Sequence, residues 1–185
     1  KRTQIIIVRH GQTEWNIRGI RQGYLDSPLT DRGLAQAKAL GRRLAREKFT
    51  ALYSSDLGRA VQTAQEVAKV TGHGIVTDAR LREMDFGIWE GVAWDAIPLA
   101  AMQAWTDDFG AHRFGGVESA NEVLARVADL WDAARQHPDE NHVWITHAGV
   151  ARATQLLSKG FRSVDSASQW PKDVPGYGQW WRIDF

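Results

Sequence analysis

The chain alternates short apolar runs with longer stretches in which apolar residues recur at helical spacing. Residues 5–8 form an uninterrupted run of β-branched side chains, which is typical of a strand buried on both faces of a parallel sheet. Three further runs predict strands, at residues 51–53, 74–77 and 142–146. This pattern favours a sheet whose strands are mostly internal and parallel.

The stretches between these strands predict four helices. They cover residues 29–46, residues 56–70, the segment from Leu124 to the stop at Pro138, and the segment from about residue 148 to Ser158. Thr30 is the expected N-cap of the first helix. Ser54 or Ser55 is the expected cap of the second helix, and Gly72 is its expected end.

Strands and helices in alternation predict one domain, residues 1–185, of the α/β class. We expect a three-layer α/β/α sandwich with a mostly parallel central sheet, and a ligand beyond the carboxyl ends of its strands. Residues 92–117 are less regular and contain several aromatic side chains, which indicates a lid or cap. Residues 161–185 are expected to form loops and a last strand without a catalytic role.

The composition narrows the classes of partner. Lys and Arg number 23 against 22 Asp and Glu, so the net charge is +1 and no broad positive field is present to attract nucleic acid or an anionic membrane. Cysteine is absent, which excludes thiolate nucleophiles and cysteine-ligated zinc. No apolar stretch reaches membrane-spanning length and no signal-peptide hydrophobic region precedes the first strand, so a cytoplasmic location is expected.

Polar residues that could act on phosphate follow two of the predicted strands. Arg9, His10 and Gly11 come directly after the first strand, and His147 follows the fourth. Arginine can donate paired hydrogen bonds to phosphate oxygens, and glycine allows a ligand to approach the backbone closely. A lone histidine at a strand end is more often a loop residue than a catalyst, so this pattern alone leaves both interpretations open.

Five sequence strings, taken in order, decide between these interpretations. RHGQTEWN, residues 9–16, resembles the opening motif of the histidine phosphatase superfamily, which contains cofactor-dependent phosphoglycerate mutases and many small-molecule phosphatases. The other strings are similar to motifs that this family carries in the same order: GIRQGYLDSPLTDRG, SSDLGRAVQTA, LREMDFGIWEG and VWITHAGVAR. The resemblance spans nearly the whole chain and implies a phosphoglycerate mutase-like fold.

The resemblance also implies roles for particular side chains. The implied catalytic set is the phosphorylated His10, the phosphate-binding Arg9 and Arg59, the proton donor Glu83 and the second histidine, His147. Further substrate contacts are expected from Thr13, Asn16, Gln22, Gly23 and Ala148. Glu118 and Ser119, in the glycine-rich segment before the long helix, are expected to shape the pocket.

This set meets the needs of phosphoryl transfer without a metal or another cofactor. His10 must be neutral to attack phosphorus, and the positive charges of Arg9 and Arg59 oppose its protonation, which lowers its pKa. None of the six histidines shows the HExxH spacing of a zinc site, and the arginines beside His10 would repel a cation. We therefore expect no bound metal.

Glu83 is expected to serve both halves of the reaction. As an acid it protonates the leaving alcohol, and as a base it then takes a proton from the water that cleaves the phosphohistidine. We expect an apolar wall to keep Glu83 protonated, built from aromatic side chains nearby in the sequence. The candidates are Phe86, Trp89 and Trp94.

Three functions fit these residues. A phosphatase acting on small phosphate monoesters is favoured over a phosphoglycerate mutase, because the stretch between Gly91 and Gly115 is short and its only basic side chains are His112 and Arg113. The string FGGVESANEVLARV, together with EMDFGIWEG and AWDAIP, most resembles bacterial alpha-ribazole phosphatases, which makes alpha-ribazole 5'-phosphate a candidate substrate. A catalytically decayed binding or regulatory domain is the third function. The expected partner is a small phosphorylated metabolite, and a homodimer stays open.

Overall fold

A computed structural model describes residues 3–184 and contains a five-stranded sheet. Its strands are β1 (Gln4–Arg9), β2 (Ala51–Ser54), β3 (Ile75–Thr77), β4 (Asn141–Thr146) and β5 (Trp180–Asp184). Their order is β3-β2-β4-β1-β5, in which β5 is antiparallel to β1 and the other neighbours are parallel. The predicted mostly parallel sheet is therefore confirmed.

Within residues 3–184, six α-helices connect and cover the strands. They are α1 (Glu14–Ile17), α2 (Asp31–Leu44), α3 (Gly58–Thr71), α4 (Leu99–Asp107), α5 (Ala120–Arg135) and α6 (Ala148–Ser158). Helices α2 and α3 pack on one face of the sheet and α5 and α6 on the other, which confirms the predicted three-layer sandwich. None of the helices in this part of the chain combines the length and apolar character needed to cross a bilayer.

The first strand separates two hydrophobic cores, because its side chains point alternately to the two faces of the sheet. Ile5 and Ile7 belong to the core beneath α5 and α6, and Ile6 and Val8 belong to the core beneath α2 and α3. All four side chains are at most 1% exposed. Burial on both faces is what the uninterrupted apolar run predicts.

Helices α2 and α3 both begin two residues later than the sequence predicts. The predicted cap of α2 and the predicted end of α3 are nevertheless confirmed. Thr30 Oγ accepts a hydrogen bond of 2.9 Å from Gly33 N–H and caps α2. Gly72 ends α3 with φ at 77°, in the left-handed region that glycine enters without strain.

The predicted serine cap of α3 is wrong. Leu57 is the N-cap residue of this helix, and its side chain makes no capping hydrogen bond. Asp26, from the loop before α2, accepts the Arg59 N–H instead, at 3.2 to 3.3 Å. Ser54 donates to the Ser55 carbonyl, and the Ser55 hydroxyl is turned toward the second histidine. Asp26 in the loop before α2 thus caps the start of α3.

Residues 92–117 contain more regular structure than the sequence predicts. They include a 3-10 turn at Trp94–Ala96 and all of α4. Ala93 forms an isolated β-bridge with Ile20, and Trp94 N–H donates to Gly19 O at 3.1 Å. These contacts join the start of the segment to the loop after α1.

The last part of the chain forms loops, a short 3-10 turn at Ala167–Gln169 and the edge strand β5, as expected. Gly178 N–H donates to Arg9 O at 2.9 Å, which joins the loop before β5 to the end of β1. Phe185, the last residue of the predicted segment, lies outside the described residues, as do residues 1 and 2 of the predicted domain.

Candidate active site

The carboxyl ends of β1 and β4 meet at one edge of the sheet. In the register of these neighbouring strands Arg9 lies opposite Thr146, so His10 and His147 follow side by side, with 5.2 Å between ring centroids. A cavity of about 230 Å³ opens beside His10. Eight of the predicted site residues line it: Arg9, His10, Asn16, Gln22, Gly23, Arg59, Glu83 and Ala148.

His10 is held in one tautomer by its own backbone. Its Nδ1 lies 2.7 Å from Gly11 O, which can only accept, so Nδ1 carries the proton and Nε2 holds the lone pair. Burial holds the pKa of His10 well below 6.5, the charges of Arg59 and Arg9 lower it further, and the Gly11 bond acts against them. The predicted direction is confirmed, but its leading cause is burial, because His10 is only 4% exposed.

His147 is oriented by a serine hydroxyl. Its Nε2 lies 2.8 Å from Ser55 Oγ, which also accepts a hydrogen bond from Leu57 N–H at 3.2 Å. Within residues 3–184 the Ser55 hydroxyl proton has no other acceptor, so it is donated to Nε2 and the His147 proton resides on Nδ1. Burial, followed by the charge of Arg59, lowers the pKa of His147 well below 6.5. His147 is 1% exposed and is not among the residues that line the cavity, but its Nδ1 has no hydrogen-bond partner within residues 3–184.

Three acceptors hold the guanidinium group of Arg59. Its Nη1 donates to Leu25 O and to Asp26 Oδ1, both at 2.9 Å, and its Nη2 donates to Gly23 O at 2.6 Å. The side chain is 2% exposed. The cation is therefore fixed at the cavity by the loop that carries these acceptors.

Glu90 holds that loop in place. Its carboxylate accepts backbone hydrogen bonds from Tyr24 at 2.9 Å, Leu25 at 3.0 Å and Phe86 at 2.9 Å. Burial raises the pKa of Glu90, whereas these hydrogen bonds lower it. Gly23 has φ at 58°, and a side chain at this position would overlap the Glu90 carboxylate.

Arg9 is positioned by the C-terminal part of the chain. Its guanidinium carbon lies 4.1 Å from the centre of the Tyr177 ring, and its Nη1 donates to Pro175 O at 3.4 Å. Trp170, from the same part of the chain, lines the cavity. Residues 161–184 therefore position Arg9 and help to line the cavity, which the sequence did not indicate.

Two backbone N–H groups hold the carboxyl group of Glu83. Its two carboxyl oxygens accept hydrogen bonds from Met84 N–H at 2.8 Å and from Gly149 N–H at 3.1 Å. A side chain at Gly149 would overlap Glu83 Oε1, so the absence of a Cβ there permits this contact. Of the predicted wall, Phe86 and Trp94 line the cavity together with Glu83. Trp89 does not line it and stacks on Phe114 instead.

Thr13 does not reach the cavity, which corrects the predicted substrate contact. It is fully buried and caps α1, where Asn16 N–H donates to its hydroxyl at 3.2 Å. That hydroxyl lies 3.1 Å from Gln22 Oε1, so Thr13 supports two residues that do line the cavity. Its hydroxyl points into the loop because the helix start needs a cap there.

Glu118 and Ser119 also act away from the cavity wall. Ser119 caps α5. Glu118 accepts from Asp85 N–H at 2.9 Å and forms an ion pair of 2.8 Å with Arg126. Arg126 in turn donates to Glu83 O at 3.0 Å, so these residues hold the backbone that carries Glu83.

The structure adds two arginines that the sequence analysis missed. Arg21 and Arg152 both line the cavity. Arg21 precedes Gln22 and Gly23 directly, and Arg152 lies on the helix that follows His147, so both positions adjoin residues that were identified. Both lie inside quoted strings, GIRQGYLDSPLTDRG and VWITHAGVAR, so a search for basic residues within each motif would have found them.

Within residues 3–184, no three or more His, Cys, Asp or Glu side chains lie close enough together to hold a metal ion. The positive charge in the cavity comes from arginine side chains. Arg9, Arg21, Arg59 and Arg152 are the cations that line it. The arrangement can therefore bind and neutralise an anionic group beside a neutral imidazole.

Comparisons with known proteins agree with this geometry. Residues 5–165 match the model of the histidine phosphatase superfamily, branch 1. A metal-independent phosphoserine phosphatase of Arabidopsis thaliana is 37% identical over 161 residues, which cover 83% of this chain and 68% of the relative. A probable phosphoglycerate mutase, GpmB, of Serratia proteamaculans (strain 568) is 34% identical over 152 residues, which cover 80% and 70%.

Solved structures extend the agreement to the fold. An Escherichia coli K-12 protein provisionally named an alpha-ribazole-5'-P phosphatase superposes with a TM-score of 0.85 at 26% identity, covering 100% of this chain and 91% of the other. Its similarity therefore spans the cavity and both helical layers. With the family model matched over most of the chain, this protein belongs to the histidine phosphatase superfamily, branch 1.

Proposed function

We propose that this protein is a phosphatase that hydrolyses small phosphate monoesters through a phosphohistidine formed on His10. The observation that carries the proposal is a buried, neutral imidazole with its proton on Nδ1, beside the guanidinium groups of Arg9 and Arg59. Its Nε2 lone pair can attack phosphorus, and fixed cations stabilise the charge on the equatorial oxygens.

The reaction consists of two displacements. In the first, a bond forms between His10 Nε2 and phosphorus while the bond to the ester oxygen breaks, and Glu83 gives a proton to the departing oxygen. In the second, water attacks the phosphohistidine, Glu83 takes a proton from that water, and phosphate leaves the imidazole. Gly11 O accepts a hydrogen bond from Nδ1–H throughout, which stabilises the positive charge on the phosphorylated ring.

The remaining site residues orient the substrate in this proposal. Arg9 and Arg59 bind the transferring phosphoryl group, and His147 donates to it from Nδ1. Further contacts come from Asn16, Gln22, Gly23 and Ala148, all of which line the cavity. The two arginines supply the charge neutralisation that a metal ion provides in other phosphatases, so the proposed mechanism uses no metal.

Hydrolysis is favoured over mutase activity by the segment at residues 92–117. Its basic side chains are His112 and Arg113, and neither lines the cavity. Arg113 forms an exposed ion pair of 2.8 Å with Glu122 instead. Residues 92–117 therefore place no cation in the cavity that could hold the alcohol product for transfer of the phosphoryl group back to it. This favours attack of water on the phosphohistidine.

The proposal is tested with p-nitrophenyl phosphate in the presence of EDTA. We expect the wild-type protein to hydrolyse it, the His10→Ala variant to be inactive, and EDTA to have no effect. A phosphoenzyme that is labile in acid and stable in alkali should form in wild type alone. Activity that EDTA abolishes would show metal-dependent chemistry, and inactivity of the wild-type protein would support the decayed binding domain.

Two further assays address the substrate. Incubation with 3-phosphoglycerate and 2,3-bisphosphoglycerate should release phosphate without rapid formation of 2-phosphoglycerate, and the opposite outcome would establish a mutase. Alpha-ribazole 5'-phosphate belongs in the panel of esters because of the sequence strings and the Escherichia coli structure described above. It is a candidate substrate to be ranked against smaller esters by kcat/KM.

A further inference from the structure

Gly11 carries the carbonyl group that fixes the His10 proton, but it has no side chain that could hold this carbonyl in place. A Cβ at Gly11 would overlap Gly33 O, so only glycine allows the start of α2 to pack this closely. Glycine also restricts its own backbone torsions less than any other residue. The direction of the Gly11 carbonyl therefore depends on what holds the two peptide groups that flank this residue.

Thr63, on α3, holds the peptide group between His10 and Gly11. Its hydroxyl accepts a hydrogen bond from Gly11 N–H at 3.0 Å and donates one to Arg59 O at 2.9 Å. The single hydroxyl proton is used by the carbonyl, so the oxygen faces the N–H group as an acceptor. Thr63 is fully buried, and bulk water therefore does not compete for either bond.

Gln36, on α2, holds the next peptide group, between Gly11 and Gln12. Its Oε1 accepts a hydrogen bond from Gln12 N–H at 3.0 Å. A trans peptide directs its N–H and C=O groups to opposite sides, so the same plane presents Gly11 O to His10 Nδ1 at 2.7 Å. Side chains from two helices thus fix the peptide planes on both sides of Gly11.

The Gly11 carbonyl decides which ring nitrogen of His10 can attack phosphorus. While Nδ1–H is bonded to it, Nε2 keeps its lone pair. If the carbonyl turned away, nothing would keep the proton on Nδ1, and the tautomer with the proton on Nε2 has no lone pair on that nitrogen. The ring would also lose the hydrogen bond that stabilises its positive charge after phosphorylation.

We propose that Thr63 is a positioning residue that keeps His10 in its reactive tautomer through Gly11, and that Gln36 supports it. Neither side chain is among the described residues that line the cavity, so both act through the backbone of Gly11 and not on the substrate. The effect on rate rests on the proposed phosphatase function. The tautomer of His10 does not, because it can be measured without any ester.

Thr63→Val tests the role of the hydroxyl, because it removes the acceptor and keeps the shape of the side chain. Nitrogen-15 NMR of labelled imidazoles at pH 7.5 reports the tautomer, and the His10 signals are those that disappear in His10→Asn. We expect the proton on Nδ1 in wild type and in Thr63→Ser, and mostly on Nε2 in Thr63→Val. Gln36→Met should shift the tautomer in the same direction, and it carries the test if Thr63→Val does not fold.

Kinetics with p-nitrophenyl phosphate give a second measurement. kcat/KM should fall about 3- to 10-fold in Thr63→Val, the range of one ordinary hydrogen bond, and Thr63→Ser should restore it. The Ki of inorganic phosphate should rise by no more than about twofold, because Arg9 and Arg59 still bind the anion. A general loss of structure would raise this Ki together with the loss of kcat/KM.

Thr154→Val is the matched control. Thr154 is also fully buried, and its hydroxyl donates to Ala151 O at 2.8 Å within α6. Within the described chain it does not bond to residues 9–12. This variant should lose similar stability to urea and keep the wild-type kcat/KM and His10 tautomer.

The two measurements separate this inference from the proposed function. If wild type hydrolyses no ester but Thr63→Val moves the His10 proton, the phosphatase function fails and the positioning role stands. An unchanged tautomer in Thr63→Val, or the same shift in Thr154→Val, would overturn the proposal. So would a rise in the Ki of phosphate that accounts for the whole loss of kcat/KM, because Thr63 would then act through Arg59.

Discussion

Neutral neighbours set the protonation of both imidazoles in the site. A carbonyl oxygen fixes the proton of His10 on Nδ1, and a hydroxyl does the same for His147. The two groups differ in kind, because the carbonyl belongs to the backbone and cannot be removed by mutation, whereas the hydroxyl belongs to Ser55. The role of Ser55 can therefore be tested directly.

Replacing Ser55 with alanine should slow phosphoryl transfer without disturbing the fold. Without the hydroxyl, nothing directs the His147 proton to Nδ1, and the proposed hydrogen bond to the phosphoryl group weakens. We expect kcat with p-nitrophenyl phosphate to fall about 10-fold, the value of one ordinary hydrogen bond. Ser55 is a positioning residue in this account.

Ser54→Ala is the matched control. Ser54 is also fully buried and donates one hydrogen bond, to Ser55 O at 2.8 Å, but it does not contact His147. Both variants should lose similar stability to urea, and Ser55→Ala alone should lose kcat. Equal loss of kcat in the two variants would contradict a role in fixing the tautomer.

Gly149 allows Glu83 to approach the backbone, so Gly149→Ala should displace the proton donor. The added Cβ would overlap Glu83 Oε1. We expect kcat/KM for glycerol 3-phosphate, whose alkoxide needs a proton to leave, to fall about 10²-fold. With p-nitrophenyl phosphate, whose leaving group needs little help, the fall should be much smaller.

The comparison of leaving groups makes this prediction specific to acid catalysis. kcat/KM includes the steps up to departure of the alcohol, so it reports the first displacement for both substrates. Gly74→Ala, at a position with open space around it, should change neither value. An equal loss for both esters in Gly149→Ala would point to general damage of the site.

At the scale of elements, the loop before β5 acts as a clamp on the end of β1. Tyr177 packs on the Arg9 guanidinium group, and Gly178 bonds to the Arg9 carbonyl. We expect Tyr177→Leu to raise KM for p-nitrophenyl phosphate about 3- to 10-fold, because loss of the cation–π contact frees Arg9. Tyr177→Phe keeps the ring and should resemble wild type. An unchanged KM in Tyr177→Leu would show that Arg9 is held without the clamp.

The elements that carry the nucleophile were predictable, because the buried runs of β1 and β4 have the short length and apolar composition typical of internal parallel strands. Their carboxyl ends had to meet at one edge if the strands were neighbours. The clamp was not predictable in this way. Residues 161–179 have no periodicity that indicates which side chains turn inward, so the contact between Tyr177 and Arg9 depends on tertiary packing alone.

The same limit explains the errors within the site. Ser55 has the position of a helix cap, but a hydroxyl before a helix can bond elsewhere, and here it bonds to a histidine. Phe86 and Trp94 line the cavity with Glu83 as predicted, but the sequence did not indicate that they also pack on Arg21. Most motif residues line the cavity as predicted, and the errors concern the partners that individual side chains contact.

At the scale of the whole molecule, the central sheet and its two layers bury both imidazoles in a neutral state. His10 and His147 are 4% and 1% exposed, and the pKa of each is lowered well below 6.5. In the unfolded chain both side chains titrate near their ordinary pKa of about 6.5. As the pH falls below that value, the unfolded state binds protons that the folded state excludes.

The free energy of unfolding should therefore become smaller as the pH is lowered through this window. A folded pKa below the unfolded one gives stability that is present above pH 6.5 and lost as the pH falls. Because the unfolded imidazole is half protonated at pH 6.5, each imidazole should lose about 1.4 kcal/mol between pH 7.5 and pH 5.5. Urea unfolding at pH 7.5, 6.5 and 5.5 measures this loss. His10→Asn should reduce it by about 1.4 kcal/mol over that range, because one of the two groups is removed.

Met84→Leu distinguishes loss of a proton site from loss of packing, because Met84 lines the same cavity, is 3% exposed and carries no titratable group. It should shift the unfolding midpoint equally at all three pH values. The lowered pKa values of Asp56 and Asp132 act below about pH 4, so they do not enter this window. If His10→Asn kept the wild-type slope, His10 would be protonated in the folded protein near neutral pH, and an imidazolium has no lone pair with which to attack phosphorus.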